Sequence, residues 1–230
     1  MLVKGTRLLH GKDADEYQET IDTLRKIAKE HGFQEVIVSS LASQDIFVDK
    51  AGKEILGQMY AFKDYGDRDI CLIPEVTAVI QAWYKIKHKE LKKPAKIFYV
   101  NRCYRYENPQ AGRYREFTQF GVEVLGGKDD AYTTGEALKQ LLINLLDGVG
   151  LNGLYVIDDS VKRGLSYYVE HGFEARCEHL GAQKQVAGGG RYDCGIGFGI
   201  GVERVILAKK DLIADKQAAM QLVASKVFPL

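Results

Sequence analysis

The segment from Arg102 to Glu123 constrains this chain more than any other, because it reads as strand, tight reversal, strand. Pro109 and Gly112 supply the backbone geometry that a reversal needs. Charged and aromatic side chains alternate along the arms: Arg105, Glu107, Arg115, Phe117, Gln119 and Glu123. Buried charges demand partners, so an antiparallel pair this polar is expected to line a site rather than fill a core. Guanidinium groups suit phosphate and a Phe ring suits a flat heterocycle, which points to a nucleotide-like polyanion. The competing reading is a surface hairpin stitched by ion pairs.

The rest of the chain supplies the scaffold. At 230 residues and 46% apolar composition it can bury a core, and one domain spanning 1–230 is expected. Residues 13–31 place Tyr17, Ile21, Leu24, Ile27 and Ala28 on one helical stripe ending before Gly32. Strands are expected at 33–40 and 70–73, and a helix over 77–93 that Pro94 stops. Residues 129–147 carry Leu138, Leu141, Leu142, Leu145 and Leu146 at the spacing of a core-facing helix. Further strands are expected at 154–158, 166–170, 173–176 and 185–187, then helices over 201–210 and 214–227. Strands joined largely as hairpins, with helices between, favour an α+β fold built on a mostly antiparallel sheet flanked by helices.

Several function classes drop out. Lys plus Arg exceed Asp plus Glu by one (32 against 31), so nucleic-acid affinity would need a local patch. The strongest basic run, residues 85–93, reads first as a solvated helix end. Cys71, Cys103, Cys177 and Cys194 form no CxxC pair and are expected as buried or half-buried free thiols. No leader and no membrane-length apolar run is visible, which implies a cytoplasmic protein without membrane contact. His10, His31, His88, His171 and His179 match no metal-ligand spacing, so no protein-bound metal is expected. Gly197, Gly199 and Gly201 alternate strictly, which is not the GxGxxG spacing, and no P-loop exists.

The hairpin resembles motif 2 of the class II aminoacyl-tRNA synthetases, and its wording is close to that of the histidyl-tRNA synthetases. Other segments agree in order: Lys4-Gly-Thr-Arg7, Met59 to Asp64, Pro74-Glu-Val-Thr77, Arg163 to Tyr168, Gly188 to Asp193, and Gly197 to Arg204, the last resembling motif 3. The resemblance implies ATP-dependent activation of L-histidine, with Mg²⁺ arriving on ATP. It implies Arg105 and Arg163 as catalytic cations at the α-phosphate. It implies an ATP site of Arg105, Glu107, Arg115, Phe117, Arg204, Gly199 and Gly201, whose glycines let backbone approach the nucleotide. It implies histidine binding by Glu75, Thr77, Gln119, Glu123, Arg163, Tyr167, Tyr168, Gly189 and Tyr192. Gln110 and Arg113 would contact the acceptor end of tRNA-His, and a homodimer would form.

The chain also departs from that family. The family carries a helical insertion between motif 2 and the first histidine signature, and a C-terminal anticodon-binding domain. Here only 40 positions (163 minus 123) and 26 residues (230 minus 204) occupy those places. No anticodon-binding domain is therefore expected. Val38-Ser-Ser-Leu41 lacks the motif 1 proline, and Ile73 stands where the family has an arginine. Two functions stay open: a histidine-activating enzyme that passes the histidyl group to tRNA-His or another acceptor, and a non-catalytic paralogue serving as a regulatory subunit of ATP phosphoribosyltransferase.

Overall fold

A computed structural model describes residues 2–48, 53–127, 132, 135–161, 168–169, 172–178, 180–181 and 184–210. The strands are β1 (Gln34–Glu35), β2 (Leu41–Ser43), β3 (Tyr60–Lys63), β4 (Asp69–Leu72), β5 (Ala95–Tyr104), β6 (Glu116–Leu125), β7 (Tyr155–Val161), β8 (Gly172–Cys177), β9 (Gln185–Tyr192) and β10 (Gly195–Gly201). The helices are α1 (Lys12–Glu30), α2 (Asp45–Val48), α3 (Lys53–Gly57), α4 (Thr77–Lys87), α5 (Glu136–Leu146) and α6 (202–210).

Seven strands form one sheet in the order β1-β5-β6-β10-β9-β8-β7. Only β1 runs parallel to its neighbour; all the other pairs in this sheet are antiparallel. A second sheet, β2-β4-β3, is antiparallel throughout. The expected α+β class with a mostly antiparallel sheet is what forms.

Strand alternation sends successive side chains to opposite faces, and each face has its own core. Phe120, Val122 and Val124 of β6, with Ile196, Phe198 and Ile200 of β10, meet α1 and α5 on one side. All five leucines of the α5 stripe are fully buried there, each worth roughly 1.5–3 kcal/mol. On the other side Ile97, Tyr99 and Cys103 of β5 and Tyr192 of β9 pack under α4 and the small sheet, through Phe47, Ile73 and Ile80. The cavity described below opens on that second face.

Three expectations change. The hairpin arms are interior strands of the large sheet, second and third in its order: β5 and β6 are in register from Ala95↔Leu125 to Tyr104↔Glu116, and Glu123 is 0% exposed. The strand at 33–40 shrinks to Gln34–Glu35, with Val36 N still donating to Phe98 O at 2.9 Å before Ile37 turns out to 99% exposure. The helix from Thr77 ends at Lys87, where Lys85, Lys87, Lys89, Lys92 and Lys93 would repel along a continued coil. The start of the helix expected from 129, most of the strand at 166–170 and the helix at 214–227 lie outside the described residues. All four cysteines are free thiols, and no helix among the described residues is long and apolar enough to cross a membrane.

Candidate functional site

A cavity of about 340 Å³ lies over β6, β10 and β9, between the N-terminus of α4 and the start of α6. Its lining brings together Glu75, Thr77, Arg105, Glu107, Arg113, Phe117, Gln119, Tyr168, Gly199, Gly201 and Arg204. Residues far apart in sequence meet here because the register sets Gly201 opposite Gln119 and Gly199 opposite Gly121, all on one face.

The glycines have a job that sequence reading assigned differently. A Cβ at Gly197 would fall inside the Glu123 carboxyl, and one at Gly199 inside the Gln119 amide. A Cβ at Gly121 would strike the Tyr99 ring, and one at Gly190 would sit 2.8 Å from Tyr168 Cδ1. These glycines therefore leave room for side chains lying flat along the sheet, and Gly199 and Gly201 also line the cavity. Gly189 belongs to the other face, under Phe198, so Gly188 and not Gly189 lines the cavity. Alternation with period two makes a one-residue misassignment a change of face.

One end of the cavity is cationic. Arg105 donates its Nε to Pro74 O at 2.9 Å and stands 5.1 Å from the Phe117 ring centroid. Arg204, in the first turn of α6, donates to Gln185 O at 2.6 Å and Gly112 O at 3.3 Å. Burial first, then the nearby charges of Arg113 and Arg105, lower the proton affinity of Arg204, which Glu174 partly restores. Arg113 turns inward from the hairpin and pairs with Glu107. The tip closes through mutual backbone bonds between Gln110 and Arg113, leaving Gln110 exposed. Arg115 sits outside the lining: its guanidinium covers Tyr106 at 3.9 Å and its Nε donates to Glu107 O.

The other end is rich in acceptors. Glu75 Oε1 accepts from Ala78 N at 2.9 Å, placing a carboxylate on the amino end of α4 where the helix dipole favours it. Gln119 Oε1 accepts from Val76 N at 3.2 Å. Glu123 lies deeper, outside the lining, with both oxygens engaged: Thr77 Oγ1 at 2.7 Å, Tyr192 OH at 2.6 Å and Tyr99 OH at 3.4 Å. Burial pushes the Glu123 carboxyl up to about 8, against the opposing pull of the Tyr192 and Thr77 hydroxyls. The three hydroxyls donate to the carboxyl and favour its anion, but burial outweighs them and favours the neutral acid.

That protonation has a measurable sign. The acid is favoured in the folded state, so its stabilising contribution is full below about 4.5 and disappears as pH rises to about 8. Against Glu123→Gln, the unfolding free energy of the native chain should fall by about 1 kcal/mol per pH unit between pH 5 and 8. Urea titrations of both proteins at three pH values test this; a constant difference between them would mean that Glu123 is ionised throughout.

Arg163 and Tyr167 lie outside the described residues. Sequence reading missed the inward turn of Arg113 and the lining positions of Gln58, Tyr114, Glu174, Gln185 and Glu203. Only Glu203, directly before Arg204, carried a signal. Among the described residues no group of three or more His, Cys, Asp or Glu could hold a metal ion.

Comparison with known proteins adds a family to this geometry. A family model described as histidyl-tRNA synthetase matches residues 5–158. The histidine--tRNA ligase of Methanosarcina acetivorans is 28% identical over 333 residues, covering 97% of this chain and 81% of its own length. That span exceeds this chain by 103 positions (333 minus 230), so the relative has residues within the match that this chain lacks. The ligase of Archaeoglobus fulgidus is 36% identical over 149 residues, and there the chain spans 36% of the relative's length. Among solved structures, apo histidyl-tRNA synthetase of S. aureus superposes with a TM-score of 0.75 at 24% identity, covering 92% of this chain and 70% of that one. A Bacillus halodurans protein described as an ATP phosphoribosyltransferase regulatory subunit/histidyl-tRNA synthetase superposes at 0.76 with 16% identity, covering 90% and 82%. At these identities the structural likeness is one of fold.

Proposed function

Because the chain belongs to the histidyl-tRNA synthetase family, we propose that it activates L-histidine with ATP, forming histidyl-adenylate and releasing pyrophosphate. The observation that carries this reading is the convergence of Arg105, Arg113 and Arg204 on one cavity beside Phe117. Attack of a carboxylate on the α-phosphate builds negative charge at phosphorus, and preorganised cations stabilise it without any side-chain nucleophile. Arg105 meets the α-phosphate and the substrate carboxylate, while Arg204 and Arg113 take the outer phosphates. Phe117 stacks on the base, and Glu107 reads the adenine amino group once Arg113 turns to phosphate. Mg²⁺ enters as part of the MgATP substrate.

Gln119, Glu75 and Thr77 hold the ammonium end of histidine. Tyr168 and the Glu123–Tyr192 pair meet the imidazole, which needs a partner for each ring nitrogen. Arg163 supplies a further cation at the α-phosphate, and Tyr167 flanks the amino acid. Histidine-dependent exchange of labelled pyrophosphate into ATP tests the reading. Exchange is expected with histidine and not with the other amino acids, and Arg163→Ala is expected to lower it. A folded sample with no exchange would end the proposal.

A second reading is favoured by one observation: both oxygens of Glu123 are occupied within the chain. A sensor that binds histidine without turning over ATP, as a subunit of a phosphoribosyltransferase, would keep such a closed acid. Histidine binding without exchange, and co-purification with a phosphoribosyltransferase, distinguish it. Transfer to tRNA-His would rest on Gln110 at the hairpin tip, with weak and salt-sensitive affinity. Charging of purified tRNA-His against a mixed pool measures that preference. A homodimer is proposed from the family, and light-scattering mass decides it.

A further inference from the structure

The N-terminal segment, residues 3–7, is tied to both halves of the cationic end. Gly5 has φ of 85°, in the left-handed region that favours glycine. A Cβ there would meet Arg115 Cγ at 2.7 Å and Pro109 Cγ at 2.9 Å. Gly5 O accepts from Arg115 N at 2.8 Å, so the segment lies directly on the hairpin. Arg7 then touches two elements at once. Its guanidinium covers the Tyr114 ring at 3.8 Å, and its Nη2 donates to Glu203 Oε1 at 2.8 Å.

Glu203 is buried and immediately precedes Arg204. Its two oxygens accept from Thr118 N at 3.0 and 2.9 Å, and the Thr118 hydroxyl meets Tyr17 OH at 2.5 Å. Glu203 also forms the wall between the main cavity and a second one of about 370 Å³, which Arg7, Tyr17 and Arg102 help to line. The hairpin and the first turn of α6 also meet directly, through Arg204 Nε on Gly112 O, and Arg7 adds a second link through the N-terminal segment.

From this geometry we propose that residues 5–7 form a strap that sets the spacing of Arg105 and Arg113 against Arg204, making Arg7 a positioning residue for adenylate formation. The inference rests on the activation chemistry proposed above. A guanidinium is needed because one planar group must stack on Tyr114 and pair with Glu203 together. Displacement of a reacting group by about 1 Å costs on the order of a hundredfold in rate.

The test uses the full chain with Arg7→Ala, Arg7→Lys and, as a control outside the site, Lys4→Ala. In pyrophosphate exchange, Arg7→Ala is expected to lose about a hundredfold in kcat while KM for histidine stays within about twofold. Arg7→Lys should recover at most about tenfold of that loss, since charge returns without the planar stack, and Lys4→Ala should match the native chain. Amide hydrogen exchange provides a readout independent of catalysis: protection at Arg115 and Thr118 should fall about tenfold in Arg7→Ala. Native kcat in Arg7→Ala, or unchanged protection at both amides, overturns the strap. If the native chain itself shows no exchange, the activation reading falls and the amide protection alone decides the strap. Should Arg7→Ala fail to fold, Arg7→Lys carries both measurements, with native values in each overturning the inference.

Discussion

Arg105→Ala is expected to lower histidine-dependent pyrophosphate exchange about a thousandfold, with little change in the unfolding midpoint. The size follows from the geometry: the guanidinium is fixed by Pro74 O on one side and the Phe117 face on the other. Removing a preorganised donor aimed at developing charge costs about 10²–10³ in kcat in comparable sites. Arg204→Ala should lose a similar amount, and the double variant less than the product, because both act on one polyphosphate. Arg105→Lys should not rescue by more than about tenfold, since an ammonium lacks the planar fork. Exchange within threefold of native in Arg105→Ala would show that phosphate is held elsewhere.

The second large effect is on stability. Gly197→Ala should destabilise the fold by about 3 kcal/mol and abolish histidine binding. The added methyl would lie inside the Glu123 carboxyl and 2.6 Å from Val122 O. A carboxyl can rotate away; a backbone carbonyl in the central ladder does not. Gly57→Ala is the matched control, because a Cβ there meets nothing within 4 Å and the residue ends a short helix. Urea unfolding measures both. A Gly197→Ala protein as stable as Gly57→Ala would remove the account given for the flat side chains.

Much of this was readable beforehand, for local reasons. The α5 leucines announce a helix because their spacing matches its pitch. The hairpin announces itself through Pro109, Gly112 and alternating polarity, and it brought Arg105, Phe117 and Gln119 to one cavity. What escaped notice depends on long-range placement. Glu123 was legible as a site residue but its full burial was not, because the hydroxyls that meet it, from Thr77, Tyr99 and Tyr192, come from three other elements. Gly188 and Gly189 are indistinguishable until the register with β10 assigns each a face. Arg7 looks like an unremarkable N-terminal cation because its partner is 196 positions away. Arg113 looks like a loop-tip residue because nothing local marks its inward turn.

The flat side chains over glycine have a consequence for how such a pocket diversifies. Within the large sheet, Gln119 and Glu123 of β6 lie flat over glycines of β10, which present no side chain beneath them. Exchanging Gln119 for a residue of similar length therefore alters the cavity lining without requiring a matching change on β10. A lineage could redraw its ligand preference one substitution at a time, and the blank strand would be inherited unaltered.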